Sequence, residues 1–369
     1  MQKFVAVLFV CFLSATFSLA QTSLWTEQRA NDWYAQQPWL VGSNFIPATA
    51  INQLEMWQAD TFDPKRIDLE LGWAQAIGLN TMRVFLHDLL WQQDPAGFQH
   101  RIDTFLTIAN KHHIRILFVL FDSCWDPHPQ LGQQRDPRPG VHNSGWVQSP
   151  GAAALKDPAQ VPRLEAYVKG VVGAFVNDPR ILGWDVWNEP GALNEGSYEK
   201  QELSDKHKYV RALLPKVFVW AREAGATQPL TSGLYDGNWS SPEKLDPIQR
   251  TQLEQSDVLS FHNYSKPSDF LKHVRQLQRY HRPILCTEYM ARPEGSTFQG
   301  ILPIAKQYKI AAINWGLVAG KTQTWYPWNS WQKPYVKSEP KLWFHEIFRN
   351  DGQPYSEQEV AFIRKITAS

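Results

Sequence analysis

Hydrophobic and polar positions along this chain follow two alternating rhythms. Short apolar runs rich in Val, Ile, Phe and Trp are each followed by stretches in which apolar residues recur three or four apart. The first rhythm predicts strands buried on both faces, and the second predicts amphipathic helices. The strand-like runs are 39–46, 81–86, 114–121, 181–188, 229–235, 258–261, 283–289 and 311–316. Between them, Asp63-Pro64 reads as an N-cap followed by Pro at the first helical position, ahead of Ile67, Leu71, Ala74 and Ile77. Further helical stripes carry Ile102, Phe105, Leu106 and Ala109, then Leu164, Tyr167, Val171 and Phe175, then Val210, Leu213, Leu214, Val217 and Trp220. Leu271, Val274 and Leu277 mark another, and a last helix is expected to hold Leu342, Phe344 and Ile347. Residues 126–160, rich in Pro, Gly and Gln, read as a long functional loop, because regular structure resumes at once. Eight strands alternating with helices, without a composition break, predict one α/β domain over residues 21–369, a (β/α)8 TIM barrel.

Polar groups cluster where the apolar runs stop. The fourth run, Ile181-Leu182-Gly183-Trp184-Asp185-Val186-Trp187, ends in Asn188-Glu189-Pro190. Pro190 interrupts the ladder and biases Glu189 away from helical geometry, so an amide and a carboxylate arrive at the rim of a sheet. The third run ends in Asp122-Ser123-Cys124-Trp125, the sixth in His262-Asn263-Tyr264, the seventh in Glu288, and the eighth in Trp315. Arg83 sits inside the second run, ahead of His87-Asp88, and needs a carboxylate partner because it cannot shed its charge. In a (β/α)8 barrel the C-terminal strand ends form the active-site face.

Composition narrows the partners. A net charge of +1, with no long run of either sign, argues against nucleic acid or an anionic membrane. Seventeen Trp and twelve Tyr suit stacking on flat neutral ligands such as sugar rings, and the rim has no Arg or Lys cluster for uronic acids. Trp57, Trp125, Trp146, Trp239, Trp325 and Trp328 are each equally suited to packing or to a sugar subsite. His spacing matches no metal site, no Gly-rich phosphate fingerprint occurs, and no cofactor is expected. Residues 1–20 read as a signal peptide: Lys3, an apolar core from Phe4 to Phe17, then Ser18-Leu19-Ala20. Its removal leaves Cys124 and Cys286, too few for a disulfide framework, in a secreted or periplasmic monomer held by its core.

Glu189 and Glu288 form the pair that acetal hydrolysis needs. One acid protonates the leaving oxygen, while a second carboxylate meets the developing oxocarbenium ion. Arg83 and Tyr264 are candidates to orient Glu288 and keep it ionised, and Asn188 to bond a sugar hydroxyl near the reacting carbon. A sugar-binding barrel without catalysis is the alternative from another class, but it has no use for both carboxylates. With Arg83, the Asn188-Glu189-Pro190 run, His262 and Tyr264, Glu288 and Trp315 in this order, the chain resembles the clan A retaining glycoside hydrolases, most closely the cellulase-type family 5. The resemblance extends over essentially everything after residue 20. It implies Glu189 as acid/base, Glu288 as nucleophile, a separation of about 5–5.5 Å between them, and neutral β-linked polysaccharides or oligosaccharides as substrates. An exo-acting enzyme of β-galactosidase or β-mannosidase type is the alternative within that class. The chain departs from the family at the third strand, where Asp122-Ser123-Cys124 replaces the usual His; His142 and His87 are candidates for its place.

Overall fold

The computed structural model describes residues 23–368; the stretch read as a signal peptide lies outside them. Parallel strands β1 (Val41–Asn44), β2 (Thr81–Phe85), β3 (Arg115–Asp122) and β4 (Ile181–Asn188) are followed by β5 (Leu230–Thr231), β6 (Leu259–His262), β7 (Ile284–Glu288) and β8 (Ala311–Asn314). They form one eight-stranded sheet, with β1 pairing both β2 and β8. The seam between β5 and β6 is closed by a bridge from Leu234 to Phe261 and by the Thr231 and Ser260 hydroxyls, 2.7 Å apart. This is a (β/α)8 barrel.

Helices follow the strands outside. Helix Pro64–Ala76 starts at Asp63, whose side chain accepts from the Arg66 N–H, the cap and Pro that the sequence displays. Pro95–Lys111 and Val161–Ala174 cover the sheet beside β3, and Lys206–Glu223 follows β4. The main core lies between sheet and helices and contains Ile67, Leu71, Phe105, Phe118 and Trp184. A second cluster, with Leu117, Leu182, Leu285 and Ile313, fills the barrel interior, and Trp33 and Tyr34 of helix Glu27–Ala35 pack against it. The Tyr34 hydroxyl donates to the Lys309 carbonyl just before β8, so this helix caps the N-terminal end. The polar strand ends therefore open only at the opposite face. Among the described residues, no helix is long and apolar enough to cross a membrane.

Two expectations need correction. The stretch holding Leu342, Phe344 and Ile347 is not a helix: Phe344 N–H donates to the Trp325 carbonyl and Ile347 N–H to that of Leu317. Backbone groups already bonded to distant carbonyls cannot make a helical ladder. The last helix is Glu357–Thr367, and its Ser356 cap accepts from Glu359 N–H. The Ser-x-x-Glu spacing was the available signal for it. The fifth strand is also shorter than its apolar run, because beyond Thr231 only Leu234 bridges a neighbour.

Strand packing at β1 yields a test. A Cβ on Gly42 would sit 1.7 Å from the Thr81 carbonyl oxygen of the paired strand. Gly42→Ala is expected to lose about 3 kcal/mol of stability from overpacking. Urea unfolding measures it, and an unchanged midpoint would show that the β1–β2 pairing gives way freely.

Candidate active site

The strand ends converge on one buried cation. Arg83, fully buried on β2, donates from Nε and Nη2 to Asp185 Oδ2 at 3.1 and 2.8 Å. Its Nη1 reaches Asn44 Oδ1 and Glu288 Oε1, both at 2.9 Å, and Nη2 reaches Asn188 Oδ1 at 2.7 Å. Burial works against the guanidinium, but the charges of Asp185 and Glu288 outweigh it and hold its pKa above the ordinary value. Arg83 thus binds together side chains from β1, β4 and β7 and leaves each with a set direction.

Asn188 is fixed from both sides. With its oxygen on Arg83, its Nδ2 donates to Asp122 Oδ1 at 2.9 Å. Asp122 also accepts from Trp146 Nε1 at 2.6 Å and from the Cys124 N–H at 2.9 Å. Burial pushes the Asp122 carboxyl up to about 6, against these donors.

Glu189 and Glu288 face each other with different partners. Glu288 Oε1 takes Arg83, and Oε2 accepts from the Tyr264 hydroxyl at 2.7 Å. Glu189 has the His262 Nδ1 at 2.7 Å from Oε1 and accepts from the Cys124 thiol at 3.2 Å through Oε2. Burial lowers His262 to about 4, so its ring is neutral and the contact is a hydrogen bond between uncharged His and carboxyl rather than an ion pair. Burial raises Glu189 to about 7. It raises Glu288 as well, with the nearby Glu189 charge adding and His262, Arg83 and Tyr264 opposing. Two largely buried carboxylates this close disfavour double ionisation. Arg83 and Tyr264 favour the ionised form of Glu288, while Glu189 has only the Cys124 thiol as a donor to its ionised form. Glu189 itself has φ 42°, a left-handed conformation that costs a non-glycine residue on the order of 1–3 kcal/mol.

The pair lines a cavity of about 160 Å³ together with Asn188, Tyr264, Trp315, His142 and Cys124. Asn143, Asn194, Trp125, Trp328 and His345 complete the wall, so the lining offers amides and flat rings and no Lys or Arg. Among the residues expected from the sequence, Glu189, Glu288, Asn188, Tyr264, Trp315 and His142 border the space. Arg83 and Asp122 stand behind it as positioning groups, and His262 touches it through Glu189. His87 lies elsewhere: its Nδ1 accepts from the Leu89 N–H and caps a short helix. Trp125 and Trp328 reach the cavity, whereas Trp57, Trp146 and Trp239 are buried in packing. Trp325 packs at a tilt against Tyr326 and Trp343 instead. Sequence reasoning assigned no role to Cys124, Asn143 or His345. The first two stand beside residues it did select, but His345 lies in the stretch read as a helix, so nothing pointed to it.

Among the described residues, Glu189, His262 and Glu288 form the one group able to hold a metal, with ligand atoms within 4.8 Å of one another. The Arg83 guanidinium, 2.9 Å from Glu288, places a fixed positive charge against any cation there.

No family model matches the chain. A curated protein described as a probable mannan endo-1,4-beta-mannosidase F, from Emericella nidulans, is 24% identical over 170 residues, which is 44% of this chain and 36% of that protein. Among solved structures, an exo-beta-1,4-mannosidase from an Opitutaceae bacterium has a TM-score of 0.59 at 17% identity, over 89% of this chain and 59% of that one. The endo-1,4-beta-mannanase of Rhizomucor miehei has a TM-score of 0.57 at 13% identity, over 90% and 95%. The chain has their fold. It spans about a third of the curated relative and under two thirds of the exo-mannosidase.

Burial and the thiol make opposed contributions at Glu189. A carbon-13 NMR titration is expected to place its carboxyl near 7. Cys124→Ala removes a donor to the ionised form and should move the midpoint upward. A midpoint at the ordinary carboxylate value would refute the desolvation argument.

Proposed function

We propose that this protein is a retaining β-glycoside hydrolase of the family 5 type. In this reading it cleaves neutral β-linked chains of mannan type, with Glu189 as general acid/base and Glu288 as nucleophile. The observation that carries the reading is the unequal carboxyl pair. One oxygen of each lies within 4.8 Å of the other, a closeness that supports the ~5–5.5 Å retaining arrangement over the ~6.5–9.5 Å of an inverting one.

The geometry supports a double displacement. Glu189, protonated near neutral pH, donates to the glycosidic oxygen as Glu288, ionised beside Arg83 and Tyr264, attacks the anomeric carbon. The proton lost by Glu189 makes it the base that draws a proton from water in the second step, which frees Glu288. Asn188, held by Arg83 and Asp122, presents its amide beside the nucleophile for a hydroxyl next to the reacting carbon. Trp315 supplies an apolar face for the ring.

The mannan-type preference draws on the activities named for the matched proteins and on a lining without cations for an anionic polymer. The Lys3 and Phe4–Phe17 pattern supports secretion. A sugar-binding barrel without catalysis has no reason to hold two facing carboxyls with such different partners.

The two roles separate in single variants. Glu288→Ala is expected to abolish turnover, and azide filling the hole should attack an activated aryl glycoside to give a glycosyl azide of inverted configuration. Glu189→Ala should lose roughly 10²–10⁴-fold on substrates with poor leaving groups but still form the glycosyl-enzyme from a good one. Azide should then release a product of retained configuration. Opposite stereochemistry in the two variants would reverse the assignment.

A further inference from the structure

The loops after β3 and β8 are fastened to each other across the barrel mouth. Asn143 N–H donates to the Thr322 carbonyl at 2.8 Å, and Gly140 N–H to Gln323 Oε1 at 2.9 Å. His142 N–H donates to Ser330 Oγ at 2.9 Å, its Nδ1 lies 2.7 Å from the Tyr326 carbonyl, and Trp331 Nε1 donates back to the His142 carbonyl at 2.9 Å. Behind this seam Trp146 packs edge-on against Phe85 and Trp315, with ring centroids 5.1 and 5.7 Å away. Against those rings lies a void of about 20 Å³, enough for a water and not for a sugar. The cavity therefore stops at the seam.

It opens past Glu189. The Glu189 side chain is 19% exposed and that of Glu288 6%. Asp236, Gly237 and Asn238 after β5 are exposed, and the cavity shares Trp125, Asn194 and Trp328 with a cleft of about 280 Å³ between the loops after β4 and β8, which Trp331 also lines. An acid must stand on the side of the leaving oxygen, so the departing part of the substrate lies toward the open side. The ring that joins Glu288 lies toward the sealed one.

At the sealed end a polar side chain waits without a partner. Asn143 borders the cavity at 1% exposure, and neither its Nδ2 nor its Oδ1 has a hydrogen bond. Leaving a buried amide unsatisfied is costly, and its backbone is held at φ 48° by the bond to Thr322. An endo-acting enzyme would need this end open for the next sugar of the chain.

We propose that the enzyme is exo-acting: a single non-reducing terminal sugar fills the dead-end pocket, and the Asn143 amide bonds a hydroxyl on its far edge. This rests on the retaining-hydrolase reading and adds chain-end specificity to it.

The test uses the whole chain and β-1,4-mannohexaose labelled at its reducing end, or cellohexaose if the mannan series is inert. The expected first products are a monosaccharide and the labelled pentamer, followed by a descending ladder. Labelled dimer, trimer or tetramer at the earliest times would overturn the proposal. In parallel, a 2-deoxy-2-fluoro aryl β-glycoside of the same sugar should label Glu288. Labelling together with internal cleavage sinks chain-end specificity alone, whereas absence of labelling and turnover sinks both readings. Asn143→Gly keeps the left-handed backbone accessible and removes the amide. It should lower kcat/KM on an aryl glycoside roughly ten- to hundred-fold. On one of the 3-, 4- or 6-deoxy analogues, parent and variant should agree within about twofold. A loss equal on every analogue, or no loss, would remove Asn143 from the assignment.

Discussion

One buried guanidinium organises the mouth of this barrel. Arg83 has no exposed surface, so each of its donors must be matched inside the protein, and the matches come from three other strands. Removing such a cation from water costs several kcal/mol, which close partners such as Asp185 and Glu288 offset. Its rigid planar fork has direction as well as charge, and so it fixes the angles of Asn44, Asn188 and Glu288 together. Substituting Lys would keep the charge and lose that geometry.

The two carboxyls differ because of what surrounds them rather than because of their own chemistry. Both are buried, and burial raises both. Glu288 meets a cation and a phenol, while Glu189 meets a neutral imidazole and a thiol. Cys124 occupies the region where the resembled family places a His. It remains a thiol, because burial and the neighbouring carboxylates raise its pKa well above the ordinary value. In the proposed mechanism, a weak donor suits an acid that must hold its proton until a substrate takes it. Stronger donors there would stabilise the ionised form and spend that proton early.

The barrel supplies the chemistry, and the long loops decide what reaches it. The β3 loop lies over the tops of β1 and β2, where Gly145 accepts from Asn52 and Trp146 packs on Phe85. The β8 loop comes to meet it, and their mutual hydrogen bonds turn a groove into a pocket. Of the six Trp equally suited to packing or a subsite, Trp125 and Trp328 reach the cavity, while Trp57, Trp146 and Trp239 are buried in packing.

The alternation of apolar runs and helical stripes was sufficient to read the barrel, because strands buried on both faces and amphipathic helices leave periodicities that do not depend on distant neighbours. Glu189, Glu288, Arg83 and Trp315 were legible on equally local grounds: a polar or charged group inside or at the end of an apolar run is costly to bury unless it is paired or used. The segment around Phe344 is not legible in this way, since its conformation is decided by carbonyls of Trp325 and Leu317 that local spacing does not reveal. Cys124, Asn143 and His345 carried no signal of their own, being short polar residues in loops of irregular composition. Only the tertiary structure decided that Asp122 supports Asn188 from behind, that His142 borders the cavity and His87 does not, and that Asn143 borders it bonded to the Thr322 carbonyl. Hydrogen bonds between loops far apart in the chain set those outcomes, and their partners are chosen by the closed barrel, which brings together in space what the sequence keeps apart.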